Sequence, residues 1–253
     1  MSRTDLLIRK CALVTGAARG NGAAIARGLS DHGTKVILAD LDAGALAAQL
    51  DIMRAEGRDC FSLTLDVADP EACRQAARHV ADEHGDLDIL VNNAGIRPRH
   101  AFDSADRDIH WDRAIKVNLE GIRNTTLAWL DGLKRRKGSV INITSIAAFN
   151  ASPGSIGYST SKAGAQMLSK ALACELAADG IRVNAIAPGV IETDMTIPSR
   201  TEPRRREELL SRIPLARFGR PEDLIGAAVF LASDLSNYVT GCTIAVDGGY
   251  LAN

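Results

Sequence analysis

The strongest constraint on this chain is a rhythm. Short apolar, β-branched runs alternate with longer segments whose apolar residues fall at helical spacing. The runs cover 11–15, 35–39, 60–65, 89–91, 139–143, 182–186 and 243–246. Most are apolar at consecutive positions rather than at every second one, as in strands covered on both faces. Between them, 23–29, 43–55, 72–80 and 163–176 carry the helical pattern. Repeated βαβ units predict an α/β fold, a Rossmann-type doubly wound parallel sheet of about seven strands flanked by helices. Asp42 and Asp69 are expected N-caps, and Pro70 suits a first helical position. The least regular stretch, 192–217, is rich in Pro and Arg and follows a strand end, which makes it a candidate substrate lid.

With 253 residues, 46% of them hydrophobic, the chain suits one domain, 1–253, around a sizeable core. A net charge of -1 with 24% charged residues gives no electrostatic case for nucleic acid or an anionic membrane. The basic cluster Arg200, Arg204, Arg205 and Arg206 reads as a solvated helix face. Five scattered cysteines without a CxxC argue against a disulfide framework or a zinc site, and no metal is expected. Reduced, mostly buried thiols fit a cytoplasmic protein. Arg3, Asp5, Arg9 and Lys10 surround the short apolar 6–8, which lacks the apolar core of a signal peptide. No apolar run reaches the length of a membrane span.

The first run leads into Thr15-Gly16-Ala17-Ala18-Arg19-Gly20-Asn21-Gly22, and a helix pattern follows. A bound phosphate needs close backbone approach, free N–H groups and a helix N-terminus aimed at it. Glycines permit the approach and the unusual dihedrals. The spacing is GxxxGxG rather than GxGxxG, so its strand–turn–helix setting carries the nucleotide reading. The second run ends in Asp40, 18 residues past Gly22, a spacing at which a carboxylate can accept from adenosine ribose hydroxyls. It also repels a 2′-phosphate, since two like unit charges at ~4 Å and an effective dielectric of ~20 cost about 4 kcal/mol. Leu41 follows, so no base stands beside the acid. Arg19 is the counter-argument, because it can reach a 2′-phosphate from the turn. Weighing the two, NAD is expected over NADP.

Tyr158-Ser159-Thr160-Ser161-Lys162 opens another helix pattern, and positions i and i+4 share a helix face. A phenol titrates near pH 10. A neighbouring ammonium, joined by a positive nicotinamide ring, favours the phenolate and brings it toward the working range of acid–base catalysis. A lone YxxxK is common by chance, and its neighbours give this one weight. Ser145 follows a strand and sits at the carboxyl edge of the sheet, where such sheets bind ligands. Its hydroxyl can polarise a substrate oxygen. Asn92-Asn93-Ala94-Gly95 ends the fourth strand at the same edge. Asn118 lies within a long helical pattern, 111–130, where asparagine is a poor choice unless its side chain has a task, such as disturbing the helix or holding a water.

Together these residues resemble the short-chain dehydrogenase/reductase family, in its single-domain form of about this length. The likeness covers nearly the whole chain. It rests on the glycine turn, Asp40, DVAD at 66–69, NNAG at 92–95, Asn118, Ser145, YSTSK at 158–162, PGVIET at 188–193 and DGG at 247–249. The resemblance implies that Tyr158 exchanges the proton and Ser145 positions the substrate oxygen. Lys162 would lower the Tyr158 pKa and hold the nicotinamide ribose, and Asn118 would hold a relay water. It implies cofactor contacts from Gly16, Arg19, Gly20, Asn21, Gly22, Asp40 and Leu41. Asp66 and Val67 would meet adenine, and Asn93, Ala94 and Gly95 the adenosine-side ribose and backbone. Pro188, Gly189, Ile191 and Thr193 would line the nicotinamide. Asn21 departs from the apolar residue usual there, but its N–H is what binds. The family further implies a homotetramer, or a homodimer, through the helices carrying Asn118 and Tyr158 and through the C-terminal strand.

The expected activity is hydride transfer between nicotinamide and a secondary alcohol or carbonyl, with a lean toward a sugar, a polyol or another small hydroxy compound. A 3-oxoacyl thioester reductase of the same family is the alternative, and a non-catalytic nucleotide binder a more distant one. A sugar-nucleotide epimerase needs a larger C-terminal substrate domain. A serine hydrolase needs GxSxG, and the sequence around Ser159 lacks the final glycine. The substrate pocket is expected from 97–101, 147–155 and 195–213, with Phe149, Ile156 and Met195 as an apolar wall. Charge-pattern reasoning favours a solvated arginine at 97 over a binder of carboxylate or hydroxyls.

Overall fold

The computed structural model describes residues 5–151 and 153–253. Arg3 of the N-terminal flank and Ser152 of the expected pocket lie outside the described residues. Seven strands form one parallel sheet: β1 (Cys11–Thr15), β2 (Lys35–Asp40), β3 (Cys60–Thr64), β4 (Ile89–Asn92), β5 (Ser139–Ile143), β6 (Arg182–Pro188) and β7 (Thr243–Val246). Their order is β3-β2-β1-β4-β5-β6-β7. The helices are α1 (Gly20–Asp31), α2 (Ala43–Ala55), α3 (Pro70–His84), α4 (Arg107–Ile115), α5 (Gly121–Ala128), α6 (Leu130–Arg136), α7 (Ile156–Leu176), α8 (Ile197–Thr201), α9 (Pro203–Ser211) and α10 (Ile225–Ala232).

β1 shows why the runs are apolar throughout. Ala12 and Val14 pack with Leu29 of α1, Leu46 of α2 and Leu231 of α10. Leu13 faces the other way, with Val80 of α3, Leu133 of α6 and Ala173 of α7. Both faces are therefore core, and each fully buried Leu or Val contributes roughly 1.5–3 kcal/mol. The edge strands depart from the pattern. After a buried Cys60, β3 alternates half-buried with exposed residues, and β7 is mostly half-buried, because an edge strand lacks full cover.

The caps fall as expected. The Asp42 carboxylate accepts from Ala45 N at 3.0 Å. That of Asp69 accepts from Glu71 N at 2.8 Å and Ala72 N at 3.0 Å, with Pro70 opening α3. Two regions differ from the sequence reading. The helix expected over 111–130 comes in pieces: α4, a π turn over Lys116–Glu120, then α5, with a break at Trp129. The supposedly irregular 192–217 is largely helical. Two of its three prolines start helices rather than break them, since a first-turn Pro lacks only an N–H that has no helical partner. Pro198 lies in the first turn of α8 and Pro203 in that of α9. Leu209, Ile213, Phe218 and Tyr250 form a small separate core beneath this segment.

β1 leads to β2 on one side while β4 pairs with it on the other. The strand order reverses between them and opens a crevice at the carboxyl edge of the sheet.

Candidate active site

A cleft of about 1010 Å³ occupies that crevice. Its wall begins at the glycine turn. Gly16 and Gly20 hold φ of +64° and +56°, the left-handed region that glycine enters without a Cβ penalty. At Gly22 the reason is space, because a Cβ would lie 2.1 Å from Gly16 O. A threonine–asparagine clamp fixes the turn against β4. Thr15 Oγ1 accepts from Asn93 N and Ala94 N, both at 3.0 Å. Asn93 Nδ2 donates to Thr15 O at 2.9 Å and Gly16 O at 3.0 Å. The Asn93 side chain thus shapes the turn. α1 then starts at Gly20 with no side-chain cap and no acidic residue in its first turn. Its N–H groups remain available to an anion.

Asp40 closes the far end. One carboxylate oxygen accepts from Ala18 N at 3.0 Å and the other from Asp42 N at 3.1 Å. It therefore braces the turn while retaining lone pairs, and the cap of α2 belongs to Asp42. Arg19 forms an ion pair with Asp42. The Asp42 carboxyl is held below its usual range, chiefly by the Ala45 N–H and also by Arg19.

At the opposite end, Ser145 follows β5. Its oxygen accepts from Ala147 N at 3.0 Å, which leaves its proton free to be donated. Tyr158 and Lys162 are buried on one face of α7. Lys162 Nζ donates to Ile143 O at 2.8 Å and lies 5.9 Å from the centre of the Tyr158 ring. Burial brings its pKa down to about 8. Burial also pushes the Tyr158 pKa up, while a hydrogen bond from Ser145 and the charge of Arg97 oppose that rise. The Arg97 guanidinium lies 5.3 Å from the Tyr158 ring centre and is half-buried, so it is not the solvated arginine that charge pattern favours.

Asn118 explains the π turn. Fully buried, it accepts from Ile96 N at 2.8 Å and donates to Ile96 O and Ser161 Oγ, both at 2.9 Å. Gly121 N pairs with Lys116 O, a five-residue step that locally widens the helix.

Every candidate cofactor contact except Gly22 lines the cleft, as do Ser145, Tyr158 and Lys162. Gly22 and Asn118 stand behind the wall and shape it. The glycine cradle, the uncapped helix start, Asp40 and the length of the cleft fit a dinucleotide whose reactive end meets Tyr158. A family model described as Enoyl-(Acyl carrier protein) reductase matches residues 16–251. The chain belongs to the short-chain dehydrogenase/reductase family. It is similar to the 3-oxoacyl-(acyl-carrier-protein) reductase FabG of Thermotoga maritima, at 41% identity over 95% of this chain and 97% of that one. It is equally similar, at 41%, to the 2-dehydro-3-deoxy-D-gluconate 5-dehydrogenase of Bacillus subtilis, over 96% of this chain and 95% of that one. Among solved structures, a gluconate 5-dehydrogenase from Burkholderia cenocepacia in complex with NADP and tartrate superimposes with a TM-score of 0.94. It is 34% identical and covers 99% of this chain and 98% of its own.

Sequence reading overlooked several residues that hold this dehydrogenase/reductase site together. Thr15 carries half of the clamp, and Ser161 receives Asn118. Asn92 and Asn142 pair across β4 and β5 at 2.9 Å, tying the sheet to Thr125 of α5 and Ser169 of α7. The available signal was a polar residue inside an otherwise apolar strand run. Of the basic cluster, Arg200 folds onto Thr196 at 3.0 Å, Arg205 pairs with Glu208 at 2.7 Å, and Arg206 lies over the Phe218 ring. Arg204 is exposed. All five cysteines are free; Cys11, Cys60 and Cys73 are buried, Cys174 and Cys242 exposed. Among the described residues, no helix is long and apolar enough to cross a membrane, and no group of His, Cys, Asp or Glu could hold a metal ion.

Proposed function

We propose that this oxidoreductase interconverts a secondary alcohol and its carbonyl compound with NAD as the preferred dinucleotide, and that Tyr158 is its acid–base residue. The observation that carries this reading is one continuous cleft that joins Asp40 and the glycine turn to Ser145, Tyr158 and Lys162. A dinucleotide held by the glycine turn, Asp40 and Lys162 would supply the hydride acceptor for oxidation of CH–OH to C=O and the hydride donor for the reverse, while the hydroxyl proton passes to or from the protein. Ser145, whose hydroxyl bonds Tyr158, would turn its proton to the substrate oxygen and hold that oxygen against Tyr158. Tyr158 takes the substrate proton in oxidation and gives it back in reduction. Lys162, fixed by Ile143 O, holds a ribose hydroxyl and adds positive charge beside the phenol. Asn118 pins the chain at Ile96 and so the floor of the site. A water held at the π turn would connect Lys162 to solvent.

Two features support NAD. Asp40 faces the end of the cleft, and Arg19, the base within reach of a 2′-phosphate, is engaged by Asp42. The Burkholderia structure carries NADP, so the preference rests on this chain's own β2 end. Residues 192–217 are proposed as the substrate lid, because α9 packs through Leu209 and Leu210 on a small core apart from the main ones, and Met195 and Thr196, just before α8, line the cleft. Exposed Trp111, Leu127 and Met167 on α4, α5 and α7 support assembly through these helices into a dimer or tetramer. The free thiols support a cytoplasmic protein.

The direct test is dinucleotide reduction at mildly alkaline pH, with NAD or NADP, over sugars, polyols, hydroxy acids and simple secondary alcohols. Turnover with NAD supports the reading; a higher kcat/KM with NADP overturns the cofactor assignment. Oxidation of NADH or NADPH by 3-oxoacyl thioesters alone would favour the acyl reductase. That second reading draws on the Thermotoga relative.

A further inference from the structure

The chain just beyond β4 places the Arg97 guanidinium 5.3 Å from the Tyr158 ring centre, and among the described residues no carboxylate pairs with this part-buried cation. Its position is fixed: Asn118 holds both backbone groups of the preceding Ile96. Its Nε donates to Ser155 Oγ at 3.1 Å, and Ser155 is itself buried. The charged groups acting on Arg97 are Tyr158, Arg99 and Arg205, with no carboxylate among them. Arg205 has its own partner in Glu208. Arg99 donates to Ser199 Oγ of α8 at 2.5 Å, a neutral acceptor that joins this loop to the lid segment. Among the described residues, the guanidinium beside Tyr158 therefore has like charges as neighbours and a hydroxyl oxygen as its hydrogen-bond partner. Removing a cation from water is unfavourable unless an anion replaces the hydration. A guanidinium has five N–H donors, and the planar fork left after Nε is used matches a carboxylate with two parallel hydrogen bonds.

We infer that the substrate is a small hydroxy acid or its oxo counterpart, whose carboxylate is bound by Arg97 while its carbinol oxygen lies between Ser145 and Tyr158. This rests on the dehydrogenase reading above and deepens it. A carboxylate suits the site, since Arg205 is already paired with Glu208 and the open fork of Arg97 matches two carboxylate oxygens. A neutral polyol or an acyl thioester offers Arg97 no charge.

The test compares an aldonate with its amide, its parent polyol and a sugar phosphate, in the wild type, Arg97→Gln and Arg97→Lys. In the wild type the acid should exceed the amide in kcat/KM by about 10- to 100-fold, the worth of a charged hydrogen-bond pair. In Arg97→Gln that ratio should collapse, mainly through the KM of the acid, and Arg97→Lys should restore part of it. If Arg97 serves only to tune Tyr158, Arg97→Gln would lower acid and amide alike and displace both pH profiles together, and the inference falls. It falls equally if the wild type prefers the amide, the polyol or the phosphate ester. Calorimetry with tartrate and dinucleotide reads the anion site without turnover: binding should be present in the wild type and lost in Arg97→Gln. Silence of the wild type on every substrate in both directions, with tartrate still bound through Arg97, would overturn the dehydrogenase reading and leave the anion site standing.

Discussion

The two ends of the cleft are built on different principles. The dinucleotide end is made of strand termini and a glycine turn, and its geometry is set by backbone: φ at Gly16 and Gly20, the missing Cβ at Gly22, and the Thr15–Asn93 clamp. The proposed substrate end is made of the loop after β4, the stretch after Ser145, α8, and α9 over a small core of its own. Its shape comes from side chains that reach across elements, such as Arg97 to Ser155 and Arg99 to Ser199. A ligand that always has the same shape can be met by a rigid backbone cradle. A substrate is met by side chains on segments that can change without disturbing the sheet.

Tyr158→Phe tests this division most severely. It removes the one group shared by both ends, and kcat should fall by about 10²- to 10⁴-fold, while dinucleotide affinity measured by fluorescence stays near wild type. Wild-type turnover would refute the role of Tyr158. Lys162→Met comes next, and pH decides its sign. The folded pKa of Lys162 is about 8, against 10.5 for an ordinary lysine. Between those values the unfolded chain holds more protons, so wild-type stability rises with pH across that window. Below it, burying the ammonium opposes folding by on the order of 3 kcal/mol. The variant should therefore be inactive yet melt above the wild type at pH 7, with the gap narrowing by pH 9.5. A gap that stays constant would show that the lysine does not titrate there.

Gly22→Ala probes the backbone cradle. Its Cβ would meet Gly16 O at 2.1 Å, and relieving that overlap should cost about 1–3 kcal/mol of stability and weaken dinucleotide binding. Asp40→Ser combined with Asp42→Ala removes the carboxylate at the ribose and frees Arg19. The NADP-to-NAD ratio of kcat/KM should rise by about tenfold or more; an unchanged ratio would mean that cofactor choice lies elsewhere. The mildest case is Gly226→Ala. A Cβ there meets nothing within 4 Å, and α10 should gain roughly 0.5–1 kcal/mol in a denaturant titration. A loss at Gly226 matching that at Gly22 would erase the distinction between a glycine needed for space and one that is not.

The division also governs what was legible in the sequence. The sheet could be read because a strand covered on both faces must be apolar at every position, and the seven runs say so locally. The phosphate cradle, Asp40 and the Tyr158–Lys162 pair could be read because their partners lie within one turn or one βα unit. Tertiary structure alone decided the rest. The π turn at Asn118 depends on Ile96 and Ser161, which are 22 and 43 residues away. Proline in 192–217 suggested irregular chain, yet it opens two helices, and α9 rests on a core that Leu209 forms with Phe218 and Tyr250. Arg97 looked solvated because its spacing carries no sign of burial. Its burial, the absence of a carboxylate partner among the described residues and its place over Tyr158 arise only when loops far apart in sequence close on one another. Local spacing fixes backbone geometry and i,i+4 neighbours; desolvation and long-range pairing belong to the folded whole.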